Sequence, residues 1–305
     1  MPRANDDHRF AWSFLLWHPV VWFLTATIAS IVMVNAIWKD HLLQWIGTEA
    51  YQVRENNLVL SPYPEWLEGN VLQTKENFLA QPRSLLNTEL VSDTKNYLGA
   101  YPWVRNIHSI QKNSKGLSVD LSYRSPVAFV DVGQQMPIPV DGDGVVFDTQ
   151  LLNRAMIQDM KKKMLRIAMP QIRTNGIAQW REWPDQRVKS AAELSEFLAG
   201  DVDSMELLWL VTFDLPNMET VRSPGFEIWT SNAKILWGSA PGQEQLDEAS
   251  PVQKIESLRN LLKSAGSFDQ FAENGAMMID ITTGNPTLIP TPRVSQQPDW
   301  MKFMQ

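Results

Sequence analysis

The chain contains no cysteine and only four histidines, His8, His18, His41 and His108, among its 305 residues. It therefore carries no disulfide, and the missing cysteine is compatible with an exported body without fixing its compartment. His8 and His18 precede the apolar segment described below and His41 lies just past its end, which leaves His108 alone for the rest of the chain. A histidine-based metal site or a Ser-His dyad has almost no material to draw on. The sequence also has no Gly-x-Ser-x-Gly, no Gly-x-x-x-x-Gly-Lys-Ser/Thr and no Gly-x-Gly-x-x-Gly. No cofactor, metal site or catalytic arrangement is expected. Basic charge is scarce as well: 27 Lys and Arg stand against 34 Asp and Glu, a net charge of −7, which argues against nucleic acid as a partner. No repeat at a solenoid period is visible.

Long apolar runs are absent with one exception. Pro19 to Trp38, PVVWFLTATIASIVMVNAIW, has no Asp, Glu, Lys or Arg. As a helix it covers about 30 Å, the hydrocarbon thickness of a bilayer. Trp12, Trp17 and Trp22 cluster at one end, Trp38 and Trp45 at the other, like interfacial belts, and Lys39 and Asp40 close the run. A cleavable export signal is the alternative, with Val34-Asn35-Ala36 as its cleavage site. The run exceeds the roughly 7–15 apolar residues of such signals. The expected layout is a short cytoplasmic tail over 1–18, a transmembrane helix over 19–38 and a linker over 39–50. Arg3, Arg9 and Lys39 give a slight bias toward an amino terminus inside. Membrane lipid is thus an expected partner through the anchor.

Beyond the anchor, 10 % aromatic and 44 % apolar residues describe globular material. Over 51–125 the pattern reads β-α-α-β-β. Tyr51–Leu60 is strand-like, and helices follow near Thr74–Leu79 and over Glu89–Leu98, the second capped by Thr88. Strands then cover Trp103–Lys112 and Gly116–Tyr123. In the last, Leu117, Val119, Leu121 and Tyr123 alternate with polar residues. Over 126–290 the elements are more numerous. Val127–Val132 is a strand, and Ile138–Val140 and Val145–Asp148 flank the turn Asp141-Gly142-Asp143-Gly144. Leu151–Met169 carries a helical stripe of Leu152, Met156, Met160, Met164 and Ile167. Two capping boxes, Ser190–Glu193 and Ser250–Gln253, announce helices. Glu206–Phe213, Phe226–Thr230, Lys234–Trp237, Met277–Thr282 and Thr287–Ile289 are strands, and 291–305 is a flexible tail. The fold class is α+β: an N-terminal transmembrane helix, a small β-α-α-β-β domain, then a mostly antiparallel β domain with flanking helices.

In this order the elements resemble the FtsQ/DivIB family of bacterial cell-division proteins, which carry one anchor, a POTRA domain and a β domain. Three local matches support the likeness. Tyr97-Leu98-Gly99-Ala100-Tyr101-Pro102-Trp103-Val104 resembles the family's helix end followed by Pro-Trp-Val. Leu117–Val130 resembles its strand and Arg-x-Pro-Val-Ala junction, and Val140-Asp141 with Gly144-Val145-Val146-Phe147 resembles its Val-Asp-x-x-Gly hairpin. Trp237-Gly238, the helix from Pro251 and Met278-Ile279-Asp280-Ile281 follow in family order. The likeness spans about Trp12 to Ile289. It implies a POTRA-like first domain and a non-enzymatic role in septum formation. It also implies that FtsB/FtsL-like coiled-coil proteins dock at the end of the β domain. Two departures stand out: a longer Met-rich helix at Leu151–Met169, and Pro286 and Pro290 flanking the terminal strand.

The candidate site follows from the strands and the resemblance together. A short strand near the end of the β domain often lies at a sheet edge with unpaired N–H and C=O groups. The expected partner-binding residues are Met278, Ile279, Asp280, Ile281 and Thr282, with Thr287, Leu288 and Ile289. No small-molecule substrate is expected. Other features have plainer readings. Asp141 and Asp143 echo a calcium loop but lack the carboxylate that closes one, so a tight turn is favoured. Lys161-Lys162-Lys163 with Arg154 and Arg166 reads as the wet face of a helix, and Trp180 and Trp183 as core. The alternatives are a POTRA-bearing envelope protein that handles extended clients in export or outer-membrane assembly, and an anchored hydrolase using Asp131 or Asp148.

Overall fold

The computed structural model describes residues 19–46, 51–133, 136–152, 154–169, 171–213, 225–231, 233–271 and 277–290. The expected tails over 1–18 and 291–305 lie outside them. Helix α1, Pro19–Ile46, is the long apolar element. Its stretch Trp22–Lys39 is long and apolar enough to cross a membrane, and none of it is buried within the protein. The helix continues past Trp38 through much of the expected linker, since no glycine or proline interrupts the sequence before Gly47.

The chain divides into two compact units. The first takes 1–62, 70–101 and 106–121, and the second takes 63–69, 102–105 and 122–305. In the first unit, strand β1 (Leu58–Leu60) is followed by α2 (Glu68–Leu79, which begins in the second unit) and α3 (Leu90–Gly99). Strands β2 (Val104–Asn113) and β3 (Gly116–Tyr123) complete it, and their outer ends belong to the second unit. The expected β-α-α-β-β order is present. The sheet order is β1-β3-β2, with β1 parallel to β3 in the register Leu58↔Leu117. Alternation in β3 does what the sequence implies: Leu117, Val119 and Leu121 are buried, as are Val71, Phe78, Leu90 and Leu98 of the two helices. Helix α3 gains no side-chain cap at its N-terminus, so Thr88 does not serve there, although the Asn87 side chain accepts the Glu89 N–H at 2.9 Å. Only the last three residues of the expected strand Tyr51–Leu60 join the sheet, because a 3-10 turn at Glu55–Asn57 precedes them, while Gln52 forms a separate antiparallel bridge with Ser84.

The second unit is built on an eight-stranded sheet. Its strands are β4 (Ala128–Val130), β5 (Ile138–Val140), β6 (Leu165–Ala168), β7 (Trp209–Phe213), β8 (Gly225–Trp229), β9 (Lys234–Gly238), β10 (Met277–Asp280) and β11 (Thr287–Pro290). The order is β11-β10-β9-β8-β7-β6-β4-β5. Antiparallel pairs join β4 to β5, β7 to β8, β8 to β9 and β10 to β11. Parallel pairs join β4 to β6, β6 to β7 and β9 to β10. The antiparallel majority is narrower than the sequence suggested. One face carries Val130, Ile167, Leu210, Ile228, Ile235 and Ile279 and packs on helices α5 (Gln186–Leu198) and α6 (Pro251–Ala265).

Two sequence expectations are corrected here. The stripe over Leu151–Met169 is not one helix. A 3-10 turn (Thr149–Leu151) precedes helix α4 (Arg154–Lys163), and Leu165–Ala168 is strand β6, between β4 and β7 inside the sheet. A strand of four residues is too short to establish a period of two, and Ile167 also fits the helical stripe, so it reads as the next turn of a helix. Arg166 accordingly leaves the basic helical patch, and its guanidinium lies 5.1 Å from the Trp209 ring centre. The second correction concerns Ser190. It lies buried inside α5, which starts earlier with Asp185 as its cap, the carboxylate accepting the Arg187 N–H at 3.1 Å. By contrast the Ser250–Gln253 capping box forms as expected, with Pro251 in the first turn.

Candidate functional site

The two ends of the large sheet differ. At the β5 end, extended segments continue the ladder. Phe147 N–H donates to Pro139 O at 2.9 Å and Asp141 N–H to Val145 O at 3.1 Å. A further layer follows, with Val146 N–H to Arg181 O at 2.9 Å, Trp180 N–H to Val146 O at 2.8 Å and Trp183 N–H to Gly144 O at 2.9 Å. The backbone groups of β5 are thereby satisfied on both sides. At the other end, no described segment pairs with the outer side of β11.

The Asp141–Gly144 turn that starts this closure is held by charge. Gly144 N–H donates to Asp141 O at 2.9 Å, and Gly144 has φ +73°, which a side chain would strain. Buried Asp141 accepts the Asp143 and Val145 N–H groups at 3.0 and 2.8 Å and pairs with Arg124. Arg105 reaches Asp143 at 2.9 Å and Glu196 at 2.5 Å. Burial pushes the Asp141 carboxyl above its ordinary value against the pull of Arg124. Burial also pushes Asp143 up, but hydrogen bonds from Arg105 and Arg124 outweigh it and hold that carboxyl below the usual range. Both carboxylates are engaged by arginines, and Asp141 by turn amides as well, and no cluster of metal-ligating side chains occurs among the described residues.

The other candidates of the sequence are similarly engaged. Asp131 accepts Gly133 N–H at 2.8 Å, and Asp148 accepts Gln150 N–H and Gln179 Nε2, each at 2.9 Å. These are turn-capping roles. Trp183 is buried, and its indole N–H donates to Arg173 O at 2.9 Å. Half-buried Trp180 has φ +60° and packs on Phe147, ring centres 4.8 Å apart. Lys163 pairs with Asp159 on the exposed side of α4 at 3.0 Å.

At the open end, β10 and β11 form a hairpin in the register Met278↔Ile289, Ile279↔Leu288 and Asp280↔Thr287. The turn between them closes through Gly284 N–H to Ile281 O at 2.9 Å, with Gly284 at φ +81°. Asp280 accepts the Thr282 N–H at 2.9 Å and hydroxyl at 2.7 Å, while Thr282 O receives Ala249 N–H at 2.7 Å. The eight candidate residues therefore separate. Ile279 and Ile281 are 0 % exposed in the core, and Met278, Asp280 and Thr282 belong to a strand paired on both sides and the turn after it. Only Thr287, Leu288 and Ile289 stand on the edge strand. Leu288 is 47 % exposed.

Register decides which backbone groups point outward. Ile281 N–H donates to Leu236 O at 3.2 Å, so Ile281 and Ile279 direct their backbone groups at β9. Alternation then directs Met278 and Asp280 at β11, where they meet Ile289 and Thr287. Leu288 consequently points its N–H and C=O away from the sheet, and so do Pro286 and Pro290, which have no N–H. The outward row offers one donor and three acceptors.

Sequence reading missed the supports of this edge. Lys254 on α6 is 0 % exposed, and its ammonium meets Glu248 at 2.5 Å and lies 5.1 Å from the Trp237 ring centre. Glu248 also accepts Ser239 N–H at 2.6 Å and Gln245 N–H at 3.0 Å. Burial raises the Glu248 carboxyl, but these hydrogen bonds outweigh it and leave it below the usual glutamate range. The Ser257 hydroxyl donates to Gly284 O, tying α6 to the hairpin turn. The spacing of Glu248 and Lys254 carried no signal beyond a charge pair near a cap. No family model matches the chain, and no curated protein matches it.

Proposed function

We propose that this protein is a membrane-tethered, non-enzymatic scaffold of bacterial cell division, of the FtsQ/DivIB type. In this reading α1 anchors the chain in the inner membrane with its amino terminus inside. The first unit is a POTRA-like domain on the outer side. The eight-stranded unit is a β domain that captures FtsB/FtsL-like partners by strand addition at β11. The observation that carries the reading is the asymmetry of the large sheet. One end is closed by two further layers of backbone pairing, whereas β11 is unpaired on its outer side among the described residues. Free edges invite other strands and are usually blunted; here Pro286 and Pro290 narrow the edge to the backbone around Leu288 without covering it, which suits docking of a short strand. Confinement to a membrane plane raises the effective concentration of partners, so a short edge suffices.

The test removes residues from Thr287 onward in the full-length chain and follows crosslinked partners in growing cells, with circular dichroism on the purified protein. Loss of septal partners with the sheet intact supports the scaffold. Undiminished capture by the truncated chain defeats it. A fluorescent fusion that marks the whole envelope evenly, with export or outer-membrane assembly clients recovered instead, turns the same edge to the alternative envelope role.

A further inference from the structure

We infer that Pro286 and Pro290 make the β11 edge selective for a short, donor-rich strand centred opposite Leu288 and keep it from pairing with a second copy of itself. This deepens the edge-docking reading and rests on it only for the identity of the partner. The outward row presents the Leu288 N–H and the carbonyls of Pro286, Leu288 and Pro290. An incoming strand, in either direction, therefore supplies three N–H groups at alternating positions and receives a single donor in return. Two copies of β11 cannot meet that demand. In a symmetric antiparallel pair centred on Leu288, each proline carbonyl faces a proline that has no hydrogen to give, and only the two reciprocal Leu288 bonds form. Pro286→Ala with Pro290→Ala restores four donors to that pair. The neighbouring sheet residues are not altered, since neither proline directs a backbone N–H into the β10 ladder.

The chain's lack of cysteine makes a direct experiment available. Full-length protein in detergent carries Leu288→Cys, whose symmetric Cα separation in such a pair, about 5.5 Å, suits a disulfide. Expected is little crosslinked dimer with the native prolines. With both prolines replaced, dimer is abundant and the dissociation constant falls about a hundredfold by sedimentation on the Leu288 background. Pro290→Ala alone gives an intermediate shift and serves if the double variant folds poorly by circular dichroism. In a second arm, the nonapeptide Lys-Thr-Val-Thr-Val-Thr-Val-Thr-Lys binds the native protein. Its depsipeptide version, with ester oxygens in place of the five central N–H groups, binds at least about tenfold more weakly. Equal dimerisation with and without the prolines overturns the inference, and so does equal binding of the two peptides or no binding of the first. Recovery of non-septal clients in cells defeats the division role and leaves these outcomes unaffected.

Discussion

Breaking the buried Lys254–Glu248 pair from one side is the most informative perturbation of the support beneath the docking edge. Glu248→Ala leaves an ammonium at 0 % exposure with only the face of Trp237 for company, and it strips an acceptor from the Ser239 and Gln245 N–H groups. Stranding a buried charge costs about 3–5 kcal/mol. For a unit of this size each kcal/mol moves the midpoint by about 2–4 °C, so the transition falls by about 6–20 °C. Removing both charges is a different experiment. Lys254→Met with Glu248→Gln keeps the volume and one acceptor, leaves no orphan ion and loses about 1 kcal/mol, chiefly from the second amide hydrogen bond. Near-UV circular dichroism of the detergent-solubilised full-length protein follows the melt, since Trp237 is fully buried beside the pair. Hydrogen exchange at β10 reports whether the edge loosens with it. A single Glu248→Ala chain as stable as the double variant would refute the reasoning, because the pair would then be no more than two independent polar groups.

Other expectations follow from the same geometry. The lowered carboxyls of Asp143 and Glu248 contribute stability that is present above their ordinary values of 3.8 and 4.5. That contribution disappears as pH falls through the lower folded-state values, so their share of the urea midpoint should be complete above about pH 5 and fade below about pH 4, whereas Asp141, raised by burial, acts in the opposite sense. Gly284→Ala forces a side chain onto φ +81° with its Cβ 3.0 Å from that of Ala249, and should cost about 1–2 kcal/mol in denaturant melts while raising exchange in β11. Arg124→Ala leaves the 1 %-exposed Asp141 without its counter-charge, held by turn amides alone, and should lose about 3 kcal/mol, whereas Lys163→Ala, on an exposed pair, should stay within about 0.5 kcal/mol. Full-length protein should remain in the membrane pellet after alkaline carbonate washing, as the Trp22–Lys39 stretch implies.

Much of the fold was legible where burial is one-sided. Gly116–Tyr123 alternates because one face is covered, and the Ser250 capping box with Pro251 marks α6 because those residues act only on their own helix end. Legibility failed where position in the sheet, not local pattern, decides. Leu165–Ala168 is a strand because β4 and β7 flank it, and nothing in the four residues Leu-Arg-Ile-Ala after a helix says so. Ser190 had the residues of a cap, but Asp185 sits where the chain actually turns into α5. At the candidate site, sequence position identified Thr287–Ile289 as terminal, and β11 is the outermost strand of the large sheet. Which carbonyls face outward follows only from the Ile281–Leu236 hydrogen bond, a contact across 45 positions that no local motif encodes. The Arg105–Glu196 pair, 91 residues apart, was equally hidden.

The parallel step from β9 through α6 to β10 has a consequence for how this surface fails. The hairpin of β10 and β11 is joined to the remainder by the rungs from Lys234 to Leu236 and by the Ser257–Gly284 and Ala249–Thr282 hydrogen bonds, so loss of these frees it as one piece. When it detaches, the rim of the sheet retreats to β9, whose five residues Lys234–Gly238 include no proline. A guarded margin is thereby exchanged for a permissive one that takes up any extended chain, so conditions that loosen α6 should convert a discriminating protein into an aggregating one. Amide exchange at Ile235 and Leu236 that keeps pace with turbidity on mild heating would display that conversion; aggregation with those amides still protected would place its origin elsewhere.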